Sequence, residues 1–458
     1  MNTKIDYTPL ERADKIYFIG IGGISMSGLA VFALAHGCAV AGSDRGENEQ
    51  TAALAERGIT VYEGHKAENI LAFSPDAVVY TAAVDAENPE LAAALSHGVP
   101  AYSRAEFLGF IMLKYGERIG VSGTHGKSTT SAMLTEIFMH AGLDPTASLG
   151  AELRSIGGAY RLGGRSHFIY EACEYKDSFL SFSPDTAVIL NIDRDHVDYF
   201  HSMEQTEDSF RRSIRTAGTV VACGEDERVM RVIADFGGRK ITFGGDSSFD
   251  IHPEGAKTER GCAEFDIFAF GELYCSVRLQ VPGRHNMLNA LAAAGAAYAS
   301  GVDGKAVGEA LGAFRGAHRR FEKKGCVNGI DVYDDYAHHP SEIRATLGAV
   351  KELGYGRVFT VFQPHTFSRT KELFDEFSTG FRDTDEVIFA DIYPARETDT
   401  LGMSSALLAD ATENGRYVGG FDKIKEYLCE NARPGDLVLT MGAGDVWKVG
   451  ELFLGTEK

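Results

Sequence analysis

The chain has 458 residues, of which 44% are hydrophobic and 24% are charged, ordinary values for a globular protein of about three domains. Lysine and arginine number 45 against 65 aspartates and glutamates, so the formal net charge is −20. That balance argues against general nucleic-acid binding, which requires a basic surface, but it leaves small anionic ligands possible.

The seven cysteines are dispersed and form no C-x-x-C pair, so neither a zinc ribbon nor a dithiol motif is indicated. The N-terminal residues are polar, and no apolar run approaches the roughly 18 residues that span a membrane. We therefore expect a cytoplasmic protein with reduced thiols and no membrane partner.

The first hundred residues alternate short apolar runs with helical patterns. We predict strands at Ile16–Ile21, Ala39–Gly42 and Ala77–Tyr80, and helices at Met26–Ala35 and Thr51–Arg57. Alternation at this spacing predicts a parallel sheet with helices packed on it.

Two further units follow, with boundaries expected near residues 105 and 315. This gives domains at 1–105, 106–315 and 316–458. The second has predicted strands at Arg118–Val121, His167–Glu171 and Thr186–Asn191, with helices at Ser128–Ala141 and Asn286–Ala299. The third has buried strands predicted at Val358–Phe362, Glu386–Ala390 and Leu437–Thr440.

The most informative motif lies between a predicted strand and a predicted helix. It reads Gly120-Val-Ser-Gly-Thr-His-Gly-Lys-Ser-Thr-Thr130. Glycine-rich turns at this position expose backbone N–H groups to a phosphate, while Lys127 would reach the outer phosphates and Ser128 would ligate Mg²⁺. The general spacing fails at one position, because Val121 stands where the first glycine is usual. The alternative is a tight turn with an exposed lysine.

Two downstream segments place chemistry-bearing side chains after apolar runs. Glu171 ends one predicted strand, and His196 follows another in Asn191-Ile-Asp-Arg-Asp-His-Val-Asp198. The carboxyl ends of strands are where α/β sheets bind ligands. A carboxylate and an imidazole there could hold divalent ions that bridge phosphates. As alternatives, Glu171 would cap the next helix and His196 would be a surface histidine.

A second glycine-rich turn follows the first predicted strand and reads Gly20-Ile-Gly-Gly-Ile-Ser-Met-Ser-Gly28, with Asp44 ending the second strand. This resembles a dinucleotide fingerprint, but Ser25 stands in place of its third glycine. The physical chemistry supports a diphosphate bound by backbone amides at a helix N-terminus.

Together these motifs resemble those of the Mur ligases, and the resemblance runs from Ile16 to Gly444. Gly123-Thr-His-Gly-Lys-Ser-Thr-Thr130 is similar to the family's shortened phosphate loop, and Gly283-Arg-His-Asn-Met-Leu-Asn289 to its adenine-side motif. Arg319-Arg-Phe321 and Asp334-Asp-Tyr-Ala-His-His-Pro340 are similar to its ATP-side and third-domain motifs. One segment departs from the commoner Glu-Ala-Asp-Glu-Ser-Asp pattern and reads Glu171-Ala-Cys-Glu-Tyr-Lys176. That departure keeps Glu171 and Glu174 but leaves the roles of Cys173 to Lys176 open.

The resemblance implies an α/β fold of three domains. The first would be a Rossmann-like UDP-binding domain, the second a phosphate-loop ATPase domain with a mainly parallel sheet, and the third a Rossmann-like α/β domain. It implies that the UDP-sugar lies against Gly20, Gly22, Gly23, Ser25, Met26, Ser27, Asp44 and His65. It implies that ATP lies against Gly123, Thr124, His125, Gly126, Lys127, Ser128, Thr129, Asn286, Asn289, Arg320 and Asp335, with Mg²⁺, or Mn²⁺ in its place, held by Ser128, Glu171 and His196.

Within the family, Gln363-Pro-His-Thr-Phe-Ser-Arg-Thr370 and 191–200 are most similar to members that join L-alanine to the lactyl carboxylate of UDP-N-acetylmuramate. The resemblance implies that ATP phosphorylates this carboxylate and that the alanine amine then displaces phosphate. The catalytic candidates are Lys127, His196, Arg320, His338 and Arg369, and the amino-acid side comprises Tyr336, His338, His365 and Arg369. Alternatively, the two third-domain histidines are structural, Arg369 forms a surface ion pair and Tyr336 lies in the core; His65 has the alternative of an ordinary loop histidine.

Four other functions remain open at this stage. A related ligase would use a tripeptide as the amine or a folate-like acid. An NAD(P)-dependent oxidoreductase would use Gly20–Gly28 and Asp44 but leaves Gly123–Thr130 unexplained. A non-catalytic UDP-sugar sensor would not need Lys127, Glu171 and His196. We expect a monomer or homodimer.

Overall fold

The computed structural model describes residues 5–81, 84–85, 87–196, 199–395 and 397–455. The chain divides into two compact units, one of residues 1–243 and 292–303 and the other of residues 244–291 and 304–458. Parallel strands joined through helices recur in both units, which confirms the predicted α/β class.

The first unit opens with a parallel sheet in the strand order β3-β2-β1-β4-β5. Its strands are β1 (Lys15–Ile19), β2 (Ala39–Asp44), β3 (Thr60–Glu63), β4 (Ala77–Tyr80) and β5 (Ala101–Ser103). Its helices are α1 (Thr8–Glu11), α2 (Ile24–Ala35), α3 (Glu49–Glu56), α4 (Ala67–Phe73), α5 (Pro89–Ser96) and α6 (Arg104–Met112). Strand β1 is central and almost wholly buried, as expected for a strand covered on both faces.

A second sheet in the same unit has the order β12-β11-β10-β6-β9-β7-β8, parallel except for the β7–β8 hairpin. Its strands are β6 (Glu117–Ser122), β7 (Thr146–Leu153), β8 (Gly158–Arg161), β9 (His167–Glu171), β10 (Thr186–Ile189), β11 (Thr219–Cys223) and β12 (Arg239–Phe243). Its helices are α7 (Lys127–His140), α8 (Met203–Ser213) and α9 (Glu227–Ile233), with short 3₁₀ segments at Arg154–Ile156 and Tyr175–Ser181.

One hydrophobic core joins the two sheets of the first unit. Phe18 of β1, Phe107 of α6 and Phe168 of β9 belong to the same buried cluster. Gly28 of α2 lies against the ring of Tyr160 in β8, where an added Cβ would come within 2.9 Å of ring atoms. A glycine is therefore required at this close approach between α2 and β8.

The second unit contains an antiparallel meander and a mixed sheet in the order β16-β17-β21-β18-β19-β20. The meander is β13 (Ile251–Glu259), β14 (Cys262–Ala269) and β15 (Glu272–Arg278). The mixed sheet is β16 (Glu322–Val327), β17 (Ile330–Asp335), β18 (Val358–Phe362), β19 (Glu386–Phe389), β20 (Gly415–Tyr417) and β21 (Leu437–Met441), with β16 antiparallel to β17. The helices are α10 (Arg284–Ala299), whose residues are divided between the units, α11 (Gly304–Ala313), α12 (Pro340–Lys351), α13 (Phe367–Glu372), α14 (Phe374–Ser378), α15 (Ser405–Ala411), α16 (Phe421–Asn431) and α17 (Trp447–Leu454).

The predicted strands and helices are all present, with ends that differ by a few residues. Helix α2 begins at Ile24 rather than Met26, and β10 ends at Ile189 rather than Asn191. The expected domain boundary at 105 falls inside α6, and the one at 315 follows α11. The division at these two positions stays a prediction.

Among the described residues, no helix combines the length and hydrophobicity needed to cross a membrane. The seven cysteines are all free thiols, as predicted.

Candidate active site

The phosphate loop lies between β6 and α7, as the motif predicts. Gly123 and Gly126 adopt φ values of +136° and +84°, which other residues rarely reach. Asn191 fixes the loop from the side: its Oδ1 accepts the His125 N–H at 2.8 Å, and its Nδ2 donates to the His125 carbonyl at 3.0 Å. Thr124 accepts the Asp193 N–H at 2.8 Å. The loop is thus preformed around its backbone amides.

Lys127 begins α7 and folds back over the loop. Its Nζ donates to the carbonyls of Gly123 at 2.6 Å and Thr124 at 3.0 Å, and it lies 3.1 Å from Glu174 Oε2. Burial lowers the pKa of this ammonium, but the carboxylates of Glu174 and Glu171 more than offset burial and hold the pKa above the ordinary lysine value. Lys127 therefore carries its positive charge at the place where a phosphate would bind.

The predicted metal ligands are in part brought together. Ser128 Oγ donates to Glu171 Oε2 at 2.6 Å, so Glu171 at the end of β9 turns toward the loop rather than capping a helix. His196 adopts φ +52° and places Nε2 3.7 Å from Glu174 Oε1. The structure thus pairs Ser128 with Glu171, and His196 with Glu174. Val197 and Asp198 of the same motif lie outside the described residues.

The N-terminal glycine turn is held by the end of β2. The Gly20 and Ile21 amides donate to the Ser43 carbonyl at 2.9 Å, and the Gly22 N–H donates to Asp44 Oδ2 at 2.8 Å. Asp44 therefore has a structural contact besides any ligand contact.

Helix α2 starts after Gly23, and no side chain caps its first turn within the described part of the chain. The side chain of Met26 packs in the core, and Ser27 Oγ donates to the Ile24 carbonyl at 2.9 Å. Met26 can therefore offer a ligand only its backbone, whereas the Ser27 N–H is already donated to the Gly23 carbonyl at 2.8 Å. Amides left open at a helix N-terminus suit a phosphate.

In the second unit, the predicted adenine-side residues are buried at the start of α10. Asn286 Nδ2 donates to the Pro282 carbonyl at 2.7 Å, and Asn289 Nδ2 donates to Asn286 Oδ1 at 3.2 Å. The two amides form a hydrogen-bonded pair that needs no ligand to hold it.

Asp335 ends β17 and is buried among backbone donors. It accepts the Ala337 N–H at 2.7 Å and the Phe321 N–H at 3.1 Å. Burial raises its pKa to about 6, against the opposing effect of the Ala337 amide and of Arg320. Arg320 lies with its guanidinium 5.0 Å from the centre of the Tyr336 ring. Both flanking residues, Arg319 and Phe321, have positive φ, a strained arrangement of the kind found at functional sites.

The four amino-acid-side candidates lie side by side beyond β17 and β18. The Tyr336 and His338 rings are 5.5 Å apart, and the His338 and His365 rings 6.0 Å apart. Arg369 Nη1 lies 3.3 Å from His365 Nδ1. His338 Nδ1 faces the Tyr336 carbonyl at 3.0 Å and Glu342 at 3.4 Å. Their shared placement agrees with a common site, while their individual roles stay predictions.

Three residues near the predicted sites carried no sequence signal that pointed to them. Arg104, the first residue of α6, donates to Ser25 Oγ at 3.0 Å, and burial lowers the pKa of its guanidinium although the charge of Glu171 opposes that effect. The centre of the Tyr175 ring lies 4.6 Å from that of the His196 ring, with the two planes tilted by 34°. Glu90 is fully buried beside His65. Arg104 lies in the Ser103–Glu106 capping box, which indicates a helix start and nothing about ligands.

A parallel sheet ending in a preformed phosphate loop, with its lysine and a serine–carboxylate pair, defines a phosphate-loop nucleotide-binding protein. Three family models match the chain: the Mur ligase family catalytic domain over residues 15–115, the Mur ligase middle domain over 121–297 and the Mur ligase glutamate ligase domain over 319–444. The chain belongs to the Mur ligase family, which confirms the resemblance.

Individual relatives cover nearly the whole chain. A UDP-N-acetylmuramate–L-alanine ligase of Acetivibrio thermocellus is 50% identical over 448 residues, 96% of this chain and 95% of that protein. The crystal structure of a UDP-N-acetylmuramate–alanine ligase from Thermotoga maritima matches with a TM-score of 0.81 and 31% identity, over 96% of this chain and 98% of the other. A murein peptide ligase from Psychrobacter arcticus matches with a TM-score of 0.70 and 26% identity, over the same shares. The three-domain α/β fold is thereby confirmed.

Proposed function

We propose that the protein joins L-alanine to the lactyl carboxylate of UDP-N-acetylmuramate in an ATP-dependent reaction that yields UDP-N-acetylmuramoyl-L-alanine, ADP and phosphate. The observation that carries the proposal is a complete phosphate loop in a chain 50% identical, over 96% of its length, to an enzyme of that name. The product would be a precursor of peptidoglycan, and we expect the reaction to take place in the cytoplasm.

The residues of the phosphate loop suit phosphoryl transfer from ATP. Lys127 is held by two carbonyls and Glu174, so its charge is oriented before a nucleotide arrives. Phosphoryl transfer depends mainly on such positioning and on stabilising charge that moves onto the phosphate oxygens. Lys127 would draw that charge as the lactyl carboxylate attacks the γ-phosphate and forms an acyl phosphate.

The Ser128–Glu171 pair fits a magnesium ion. A hydroxyl and a carboxylate oxygen 2.6 Å apart are hard oxygen ligands, the type that Mg²⁺ prefers, and Gly150 leaves room for the carboxylate where a Cβ would collide with it. When bound, the ion would neutralise phosphate charge. His196 would join this set from the Glu174 side, and Mn²⁺ would tolerate its imidazole better than Mg²⁺ does.

The cluster of Tyr336, His338, His365 and Arg369 would receive L-alanine. Arg369 would hold the amino-acid carboxylate through a bidentate pair. The free amine would then attack the acyl carbon, and phosphate would leave from a tetrahedral intermediate.

The test is ADP release from ATP and Mg²⁺ with UDP-N-acetylmuramate, with and without L-alanine, combined with the mass of the product. Release that requires both substrates, and a product heavier by one alanyl residue, would support the proposal. Turnover with a tripeptide but not with L-alanine would reassign the protein to the activity for which the Psychrobacter relative is named. Lys305→Met, at a side chain 79% exposed, is the control for a Lys127→Met variant that should be inactive.

A further inference from the structure

The carboxylate of Glu90 lies buried beneath the predicted UDP site and accepts four hydrogen bonds. Its Oε1 accepts from Tyr17 Oη and from Asn69 Nδ2, both at 2.7 Å. Its Oε2 accepts from Ser43 Oγ at 2.5 Å and lies 3.0 Å from His65 Nδ1. The residue itself is 0% exposed. A buried carboxylate is costly unless its oxygens are satisfied, and here they are saturated with donors.

The same network reaches the carboxyl edge of the N-terminal sheet. Ser43 uses its carbonyl to hold the glycine turn and its hydroxyl to hold Glu90. His65 lies in the loop that leaves β3, and Asn69 fixes that loop by donating to the Gly64 carbonyl at 3.1 Å. Ligands of open α/β sheets bind at this edge. His65 therefore lies at the sheet edge where the glycine turn would hold a nucleotide, and Ser43 contacts both.

The tautomer of His65 follows from which atom donates the hydrogen in each of its contacts with Ser43 and Glu90. Ser43 has one hydroxyl hydrogen, and its 2.5 Å contact with Glu90 Oε2 uses it. His65 Nδ1 then lies 2.9 Å from Ser43 Oγ and 3.0 Å from Glu90 Oε2, which are both acceptors in that direction. Nδ1 must therefore carry the hydrogen. In a neutral imidazole, the other nitrogen, Nε2, is then an acceptor.

The ring is partly open to solvent on its other side. The His65 side chain is 19% exposed, and Nε2 has no hydrogen-bond partner among the residues that the structure describes. An acceptor cannot bond to the oxygens of a diphosphate, which offer no hydrogen, whereas the open amides of α2 can. Nε2 is suited instead to an O–H or N–H group.

We propose that Glu90 is a positioning residue that, with Ser43, locks His65 as its Nδ1–H tautomer, so that Nε2 accepts a hydrogen bond from a ribose hydroxyl or the imide N–H of the uridine part of the substrate. The inference rests on the proposed function, because it requires a uridine nucleotide at this turn. It assigns the diphosphate to the α2 amides and the nucleoside to His65.

The first experiment reads the tautomer directly from the ¹⁵N chemical shifts of the His65 ring in the free wild-type protein at neutral pH. We expect a protonated Nδ1 and an unprotonated Nε2, and loss of that preference in Glu90→Gln, where an amide N–H₂ replaces one acceptor oxygen. Glu68→Gln, on the exposed face of α4, is the matched control and should leave the shifts unchanged. Two protonated nitrogens, or an unchanged tautomer in Glu90→Gln, would overturn the proposal.

The second experiment identifies the donor by calorimetry with UDP, 2′-deoxy-UDP, 3′-deoxy-UDP and N3-methyl-UDP. In the wild-type protein, the analogue that lacks the donor should bind up to about tenfold more weakly than UDP, which is the range of one neutral hydrogen bond. In His65→Ala, the same analogue and UDP should bind equally well. His65→Gln, whose amide oxygen can take the place of Nε2, should restore part of the affinity, and His65→Asn should not. If UDP binds wild type but none of these differences appears, this inference fails alone; if UDP does not bind wild type, the UDP site of the proposed function fails as well.

Discussion

Replacing Gly150 by alanine should displace Glu171 from the phosphate loop. Gly150 lies in β7, and an added Cβ would come within 2.5 Å of Glu171 Oε1 and closer still to Oε2. A Cβ atom essentially never approaches another atom within 3.0 Å, so the carboxylate must retreat. The backbone of Gly150 is not left-handed, so alanine is compatible with the strand itself.

The size of the effect follows from the contact that is lost. The 2.6 Å hydrogen bond from Ser128 to an ionised carboxylate contributes about 1.5–3 kcal/mol. Alanine gives the unfolded chain less conformational freedom than glycine does, and this raises the free energy of unfolding by about 0.4–1 kcal/mol. Stability should therefore fall only modestly, whereas a shift of about 1 Å in a group that holds the reacting phosphate costs about a hundredfold in rate.

The assay is ADP release as a function of Mg²⁺ concentration, with melting temperature measured in parallel. Gly150→Ala should turn over about a hundredfold more slowly and require more Mg²⁺. Gly158→Ala, in the adjacent strand β8, is the matched control, because its added Cβ would meet nothing within 4 Å. Wild-type rate and Mg²⁺ dependence in Gly150→Ala would refute the assignment of Glu171 to the ion.

Lys127→Ala should abolish turnover while UDP-sugar binding, measured by calorimetry, survives; retained turnover would remove Lys127 from the phosphate site. Asp335→Asn should flatten the pH dependence of stability. Because the pKa of Asp335 is raised to about 6, the folded state binds this proton more tightly than the unfolded state does. The free energy of unfolding of the wild type should therefore fall by up to about 3 kcal/mol relative to the variant as pH rises from 4 to 7. Equal pH profiles in urea unfolding would contradict that shift. Arg369→Lys should raise KM for L-alanine more than it lowers kcat, because lysine cannot form a bidentate pair; an unchanged KM would place Arg369 outside the alanine site.

The phosphate loop and its sheet could be predicted because their signals are local. Glycines required by the turn, a lysine after the last of them and an apolar run before them all lie within eleven residues. The predicted helix at Ser128–Ala141 is off by one residue at each end, since Gly126 with φ +84° ends the loop one residue earlier. Glu171 was placed correctly at a strand end because the run before it is buried on both faces.

Features that depend on distant partners could not be predicted. Strand β13 is buried only at its first three residues and shows no alternation, so its place in a meander depends on β14. Glu90 reads as an ordinary acid in the first turn of a helix. Its role depends on Tyr17, 73 residues away, and Ser43, 47 residues away. No pattern in the sequence indicates that these residues contact one another in the fold.

The divergent segment after Glu171 shows how residue type alone misleads. Where an aspartate is commoner, Cys173 lies near Lys127, and burial, reinforced by Glu174, raises the pKa of its thiol to about 11. The thiol is therefore neutral at pH 7, so Lys127 faces the carboxylates of Glu174 and Glu171 without the third that an aspartate would add. Tyr175, in turn, supports His196 through a tilted contact between the two rings. We therefore expect the departure to lower the negative charge around the phosphate loop while keeping the imidazole in place, and so to favour the approach of an anionic nucleotide.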